Sequence, residues 1–280
     1  MQSSIVRSSM VRGFLLLSAA SLFLSCTSST EQAGSSGASA ASSEVLRVGN
    51  EADFPPYSRK DPDGTLTGID IDVANALCEK MQMKCEFVVN EWSSIIPSLN
   101  AGKYDVIISS VSITEERQQQ VLFSKPYLGG GQYALVAKKG VTLEPTAEGL
   151  AGKKICAIKN SSSVKWLETY APEAEILQYD GSATAKTDLL AGRCEAWMEG
   201  KVALYSTVID TPEGENYHFA AEFENDLGGE EAGVAARLGE EELIDKINQA
   251  IDEIYADGTF EQINEKYLPF DISAKEFAAQ

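Results

Sequence analysis

The chain has 280 residues, 42 of them acidic and 23 basic, so its formal net charge is −19. So large an acidic excess argues against nucleic acid or an anionic membrane surface as the partner. It is weakly consistent with a cationic ligand, although solubility alone is the simpler explanation.

The first 25 residues have the layout of a bacterial export signal. Arg7 and Arg12 precede an apolar run over 14–24, which stops at Ser25 and Cys26. That run is about eleven residues long, whereas a bilayer-spanning helix needs roughly 20. Ser25 followed by Cys26 resembles a lipobox, whose cysteine is acylated and becomes the mature N-terminus; cleavage nearby with a free Cys26 is the alternative.

Residues 26–43 are rich in Ser, Ala and Gly and have no periodic apolar face, which is typical of a flexible tether. We therefore expect residues 1–25 to be a signal peptide and 26–43 a lipid-anchored linker. The protein would then lie in the cell envelope on the extracytoplasmic side, in the periplasm or on the outer face of the cytoplasmic membrane.

Four further cysteines are an even number, as expected in an oxidising compartment. Cys78 and Cys85 are close in sequence, where a predicted helix gives way to a strand, so that they could pair across a short loop. Cys156 and Cys194 both open predicted strands and could pair if these are neighbours, which the sequence leaves open. A zinc site is disfavoured because there is no CxxC spacing and His218 is the single histidine; we expect no metal and no cofactor.

From residue 45 onward, short apolar runs alternate with amphipathic helices. Strands are predicted over 46–49, 85–89 and 105–109, and helices over 72–81, over 92–100 and after the capping residue Thr114. This order predicts a parallel sheet covered by helices.

Three glycines, 129–131, interrupt the pattern and suit a hinge or crossover. The alternation restarts with strands over 133–137, 154–158 and 194–198 and helices over 164–170, 183–191 and 201–209. A second glycine-rich break at 227–231 precedes a short strand, 234–237, and a long helix, 241–256.

Two breaks that bracket a central unit predict an α/β protein of two lobes joined by two strands. The first lobe would comprise residues 44–131 and be completed by 231–280, and the second would comprise 132–230. Ligands of such folds bind in the cleft outside the carboxyl ends of the strands.

Two polar segments each follow a strand and open a helix. The first contains Ser109, Ser110, Ser112 and Arg117, and the second spans 160–163. Hydroxyls, helix N–H groups and a guanidinium suit a carboxylate. Each serine run alone is explained as well by helix capping, and Arg117 alone by a surface ion pair; one such segment in each lobe favours a clamp on an anionic group.

Longer motifs resemble the polar amino-acid family of importer solute-binding proteins, which have the type II periplasmic-binding-protein fold. The sequence is most similar to the lysine/arginine/ornithine, histidine and arginine binders. The resemblance runs from about Leu46 to about Ile272 and rests above all on GIDIDVA at 68–74 with SSVSITEER at 109–117, together with AGKKICAI, LLAGRCEA, ADGTFEQI and NEKYLPF.

The resemblance implies roles for individual residues. Arg117 would bind the ligand α-carboxylate, helped by Ser112 and, from the other lobe, by Ser161 and Ser162. Ser110, beside Ser109, would contact the α-amino group. Further positions match an aromatic pair around the ligand side chain, an acidic group at its cationic end and a short disulfide: Phe54 with Trp92, Glu51, and Cys78 with Cys85.

One position departs from the family pattern. The aspartate that usually grips the α-ammonium is replaced by Gly200, and Glu199 precedes it. Adjacent side chains of a regular strand face opposite ways, so we expect either a bulge that turns Glu199 into the cleft or a missing ammonium anchor. A missing anchor would favour an N-substituted ligand, such as an opine or a betaine.

These observations predict a monomeric binding protein that closes on an amino-acid-like ligand, with a basic amino acid as the best guess, and delivers it to a membrane ABC permease. An enzyme similar to cyclohexadienyl dehydratase is a weaker alternative, because the chain shows no nucleophile and base pair, metal set or cofactor loop. A sensory domain is disfavoured because no signalling segment is visible.

Overall fold

A computed structural model describes residues 44–129, 132–224, 227, 231–274 and 276–277. The predicted signal peptide, Cys26 and the predicted linker lie outside these residues. None of the described helices combines the length and the apolar character needed to cross a bilayer.

Strands and helices alternate along most of the described chain. The strands are β1 (Val45–Asn50), β2 (Asp53–Phe54), β3 (Ser58–Lys60), β4 (Leu66–Thr67), β5 (Lys84–Val89), β6 (Val106–Ile107), β7 (Leu122–Leu128), β8 (Tyr133–Lys138), β9 (Lys154–Ile158), β10 (Glu175–Tyr179), β11 (Ala196–Gly200), β12 (Tyr217–Phe223) and β13 (Ala232–Ala236). The α-helices are α1 (Ile69–Lys80), α2 (Ile95–Asn100), α3 (Glu115–Gln118), α4 (Ala147–Leu150), α5 (Ser162–Tyr170), α6 (Ser182–Leu190), α7 (Lys201–Leu204), α8 (Glu241–Ala256) and α9 (Thr259–Tyr267).

The strands form two five-stranded sheets, one in each lobe. The first has the order β5-β1-β6-β13-β7, and the second has the order β10-β9-β11-β8-β12. A small third sheet, β2-β3-β4, lies after β1 in the chain. Because β13 joins the first sheet after the chain has built the second, the first lobe consists of two separate stretches of sequence.

Both large sheets are mixed rather than purely parallel. In the first, β1 runs parallel to β5 and β6, whereas β13 runs antiparallel to β6 and β7. In the second, β9 runs parallel to β10 and β11, whereas β8 runs antiparallel to β11 and β12. In each sheet, the strand that runs against the other four is the first strand after a change of lobe, β13 in the first sheet and β8 in the second.

Several elements differ from the sequence prediction. The strands β7, β10 and β12 were not predicted, and the helix predicted over 201–209 consists of α7 followed by a π-helical turn, Tyr205–Ile209. In β7, Lys125 and Pro126 break the apolar run. The structure tolerates this proline because β7 is an edge strand that pairs only with β13.

The hydrophobic core of the first lobe packs α1 and α8 against the sheet. The apolar face of α8 buries Ile247, Ile251 and Ile254 completely, next to Val48 of β1 and Leu77 of α1. Full burial of one such side chain stabilises the fold by about 1.5–3 kcal/mol. This packing holds the carboxyl ends of the central strands in place, and the pocket described below lies at those ends.

Both cysteine pairs form disulfides. Cys78 of α1 is bonded to Cys85 of β5, and Cys156 of β9 is bonded to Cys194, just before β11. The second bond, which the sequence left open, forms because β9 and β11 are neighbours in the sheet. Among the described residues, each lobe therefore contains one disulfide bond.

Gly129 begins the first crossing between the lobes. Its N–H donates to Ile272 O at 2.7 Å, and a Cβ on this residue would lie 2.3 Å from Ser273 O. This close backbone approach requires glycine here. Gly130 and Gly131, predicted to belong to the same crossover, lie outside the described residues.

Candidate ligand pocket between the lobes

A pocket lies between the two sheets, at the carboxyl ends of β1, β9 and β11. The space within it, including the part open to solvent, is about 760 Å³. All ten predicted binding residues line it: Glu51, Phe54, Trp92, Ser109, Ser110, Ser112, Arg117, Ser161, Ser162 and Glu199.

Arg117 occupies one end of the pocket with a buried guanidinium. The Thr114 hydroxyl caps α3 by accepting from Arg117 N at 3.3 Å. The guanidinium donates to Ser112 O at 3.0 Å and, across the cleft, to Asn160 O at 3.1 Å. It also lies over the Trp92 ring, 5.2 Å from its centroid. Burial lowers the pKa of Arg117.

The N-terminus of α5 supplies the facing wall. Ser161 is the N-cap residue, and its hydroxyl accepts from Val164 N at 3.3 Å. Ser162 is the first residue of the helix and lines the pocket beside it. The first N–H groups of a helix have no partner within the helix and carry a partial positive charge. This wall and Arg117 together favour an anionic group.

Glu51 lies just beyond β1, in a segment held by Asn50. The Asn50 side chain donates to Ile108 O at 2.6 Å and accepts from Ala52 N at 2.8 Å. Glu51 N itself donates to the Ser109 hydroxyl at 3.2 Å. These bonds fix the backbone of Glu51 relative to β6, so its carboxylate enters the pocket from a rigid support.

Glu199 reaches the pocket in a way that neither sequence alternative described. The pairing of β11 with β8 is regular, with Glu199 opposite Ala134 and Gly200 opposite Tyr133, so no bulge is present there. Glu199 nevertheless lines the pocket and is 7% exposed. The pocket lies beyond the end of the strand, and both of the last two residues of the strand therefore border it. Glu199 Oε1 accepts from Gly200 N at 3.0 Å.

The two glutamates give the pocket negative charge. Burial raises the pKa of Glu199 to about 7, against the effects of the Gly200 N–H and the Arg117 charge. Burial, and then the nearby charge of Glu199, raise the pKa of Glu51 well above its ordinary value. Both shifts mean that the carboxylates lack a cationic partner strong enough to offset the loss of water, so a positively charged group bound here would be stabilised.

Aromatic rings form another part of the pocket wall. Phe54 stacks on Tyr57 with ring centroids 5.3 Å apart, and both of them line the pocket with Trp92 and Tyr133. The sequence analysis missed Tyr57 and Tyr133. Tyr57 ends the run EADFPPY at residues 51–57, and Tyr133 opens the strand predicted after the glycine break; these are the signals that could have found them. Rings of this kind can contact an aliphatic chain or a cationic group.

The family model of the bacterial extracellular solute-binding proteins, family 3, matches residues 46–270. The chain belongs to this family. An L-arginine-binding protein of Pseudomonas aeruginosa is 37% identical over 236 residues, covering 83% of this chain and 91% of the relative. The lysine/arginine/ornithine-binding periplasmic protein of Escherichia coli K12 is 35% identical over 241 residues, covering 83% and 91%.

Solved structures of family 3 relatives have the same architecture. An ancestral arginine-binding protein bound to arginine has a TM-score of 0.75 at 37% identity, covering 81% of this chain and 99% of its own. An ancestral amino-acid-binding protein described as a precursor of cyclohexadienyl dehydratase has a TM-score of 0.69 at 32% identity, covering 80% and 94%. The fold is the type II periplasmic-binding-protein fold, as predicted, and the curated relatives named above are binding proteins.

Proposed function

We propose that this protein is the lipid-anchored solute-binding component of an ABC importer and that its ligand is a basic amino acid. The observation that carries the proposal is the charge pattern of the pocket. Arg117 and the N-terminus of α5 supply positive charge to the pocket, and Glu51 and Glu199, one from each lobe, supply negative charge. A ligand with one carboxylate and two cationic groups matches this pattern.

The proposed contacts follow from it. Arg117 binds the α-carboxylate together with Ser112, Ser161 and Ser162. Glu199 takes the place of the family aspartate and binds the α-ammonium, while Glu51 binds the cationic end of the side chain, which lies between Phe54 and Trp92. Arginine, lysine, ornithine and histidine are the candidates, and the names of the similar proteins above support the first three.

Contacts between the lobes support binding by closure. Besides the bond from Arg117 to Asn160, the Asn160 side chain donates to Ser93 O at 2.8 Å, and Asp53 accepts from Ala183 N at 3.1 Å. We propose that residues 44–131 and 231–280 form one moving lobe and 132–230 the other, bending at the two crossings. A ligand that contacts both lobes favours the closed arrangement.

The remaining proposals concern the cellular setting. The relatives named as periplasmic proteins support an extracytoplasmic location, and Cys26 would carry the lipid anchor. The permease would receive the ligand from a monomeric binding protein. A test for the anchor is mass spectrometry of the mature N-terminus from membranes, in which an unmodified Cys26 would contradict it.

An N-substituted amino acid is the second candidate ligand. A Cβ on Gly200 would meet nothing within 4 Å, so there is space beside Glu199 for a group on the ligand nitrogen. Tight binding of an opine or a betaine with no binding of primary amino acids would favour this candidate.

The function is tested by calorimetric titration of the purified protein with L-arginine, L-lysine, L-ornithine, L-histidine, an opine, glycine betaine and L-glutamate. We expect micromolar or tighter binding of at least one basic amino acid and none of L-glutamate. Incubation with prephenate or arogenate should give no product, because we propose binding without catalysis. Failure of all four basic amino acids to bind would overturn the proposal.

A further inference from the structure

A buried carboxylate lies behind the pocket wall. Asp70, the second residue of α1, is fully buried. Its Oδ1 accepts from the Tyr127 hydroxyl at 2.7 Å, and its two oxygens accept from the Ser110 hydroxyl at 3.0 and 2.9 Å. Among the described residues, no lysine or arginine forms an ion pair with it. A buried carboxylate without a cationic partner is costly, so its position calls for an explanation.

Both hydrogen-bond donors of Ser110 are already used. Its hydroxyl donates to Asp70, and its backbone N–H donates to the Tyr127 hydroxyl at 3.0 Å. A serine hydroxyl has one proton and two acceptor lone pairs. Ser110 lines the pocket, so what its hydroxyl can offer a ligand is acceptor capacity.

The backbone of Ser110 is held in an uncommon conformation. Its φ is 48°, in the left-handed region that residues other than glycine, asparagine and aspartate seldom adopt. Such a conformation persists only where the surroundings impose it. The two bonds to Asp70 and Tyr127 do so, and they direct the hydroxyl proton away from the ligand and into the protein.

We infer that Asp70, acting through Ser110, determines the polarity of this wall and thereby the orientation of the ligand. An ammonium group can donate to Ser110, whereas a carboxylate would meet lone pairs and the charge of Asp70 behind them. The carboxylate is confined to the Arg117 end. Asp70 is thus a positioning residue that does not touch the ligand. This inference rests on the proposed function, because it assigns the ammonium contact of that same ligand.

The other titratable groups near Asp70 agree with this role. Burial raises the pKa of Glu51 and of Tyr57, and the negative charge of Asp70 adds to both shifts. The Tyr127 hydroxyl donates to Asp70. None of these three groups is a cation. A ligand ammonium at Ser110 would supply positive charge close to Asp70.

The test is a double-mutant cycle with L-arginine as the probe. Asp70→Asn places an amide donor toward the Ser110 oxygen, which frees the serine hydroxyl to turn its proton toward the ligand. We expect this change to weaken L-arginine binding at least tenfold in the wild-type background and no more than twofold in a Ser110→Ala background. If Asp70 has only a structural role, Asp70→Asn will weaken L-arginine binding by the same factor in both backgrounds. An equal loss in the two backgrounds overturns the inference.

A second ligand gives an independent measurement. 5-Guanidinopentanoate keeps the carboxylate and guanidinium of arginine but lacks the α-amino group, so Asp70→Asn should not weaken its binding. The matched control is Asp72→Asn, on the same helix. The Asp72 carboxylate accepts from Lys266 and Tyr267 instead, so this variant should change L-arginine binding less than twofold.

Two further outcomes are decisive. If Asp70→Asn does not fold, as judged by circular dichroism, Ser110→Ala alone must weaken L-arginine binding at least tenfold, and unchanged binding overturns the inference. If the wild type binds none of the four basic amino acids, the proposed function fails and the inference fails with it. Wild-type binding that survives both Asp70→Asn and Ser110→Ala defeats the inference alone.

Discussion

The two walls of the pocket are built differently. The binding groups of the first lobe are tied to their own lobe: Arg117 to Ser112 O, Glu51 N to Ser109, and Ser110 to Asp70. The second lobe contributes the end of α5, where Ser161 caps its own helix, and Glu199, whose Oε1 accepts from the neighbouring Gly200 N. The first wall is therefore held in part by bonds between separate elements, whereas the second is held by bonds between near neighbours in sequence. Preorganised groups lose little entropy on binding, so we expect the first wall to carry most of the affinity.

The largest effect should come from the first wall. Arg117→Ala removes the buried cation and should weaken binding of any α-carboxylate ligand by about 4 kcal/mol, close to a thousandfold. Calorimetry on protein shown to be folded by circular dichroism measures this. Arg193→Ala is the control, because Arg193 is exposed and pairs with Asp188 away from the pocket. A loss smaller than tenfold would mean that Arg117 does not hold the carboxylate.

Glu199→Gln tests the second wall directly. It removes the charge proposed to hold the α-ammonium, which costs about 2–3 kcal/mol, or on the order of 50-fold in affinity for primary amino acids. Gly200→Asp added to this variant should restore much of the loss, because a side chain at Gly200 meets open space. Glu195→Gln, an exposed site that pairs with Lys153, is the control. Unchanged affinity in Glu199→Gln would show that Glu199 does not hold the α-ammonium.

The acidity of the medium should affect binding through the same residue. Burial raises the pKa of Glu199 to about 7, and the ligand ammonium needs the ionised form. The contribution of Glu199 to L-arginine affinity should therefore be complete only well above pH 7 and fall as protons occupy the carboxylate, by roughly tenfold between pH 7.5 and 6. Asp70, whose pKa burial also raises to about 7, acts in the same direction. Calorimetry across this range should show a shallower profile in Glu199→Gln; an identical profile would exclude Glu199.

The smallest effect should come from the end of α5. Ser162→Ala removes one neutral hydroxyl and should weaken binding by about 1 kcal/mol, near fivefold. Because this residue belongs to the second lobe, which we propose closes on the ligand, the loss should appear mainly as a smaller closed fraction at saturating ligand. Energy transfer between dyes on the two lobes measures that fraction. Equal and negligible effects of Arg117→Ala and Ser162→Ala would argue against the whole site.

Much of the fold was readable because it follows from local periodicity. The alternation of β1, α1 and β5 and the 3.6-residue repeat of α8 both appear in the sequence. The strand β7 was missed because Lys125 and Pro126 disrupt its pattern, which only its edge position makes acceptable. The pairing of Cys156 with Cys194 was equally invisible, because it depends on which strands are neighbours.

The site divides along the same line. The sequence by itself determined the proposed carboxylate site, because Arg117 and its serines belong to a contiguous motif at a helix start, where local backbone geometry presents them together. Only the tertiary structure supports the proposed ammonium site. Glu199 borders the pocket because β11 stops there, and Asp70 bonds Ser110 from 40 residues away in sequence. Such relations depend on how separate elements pack, which no local spacing records.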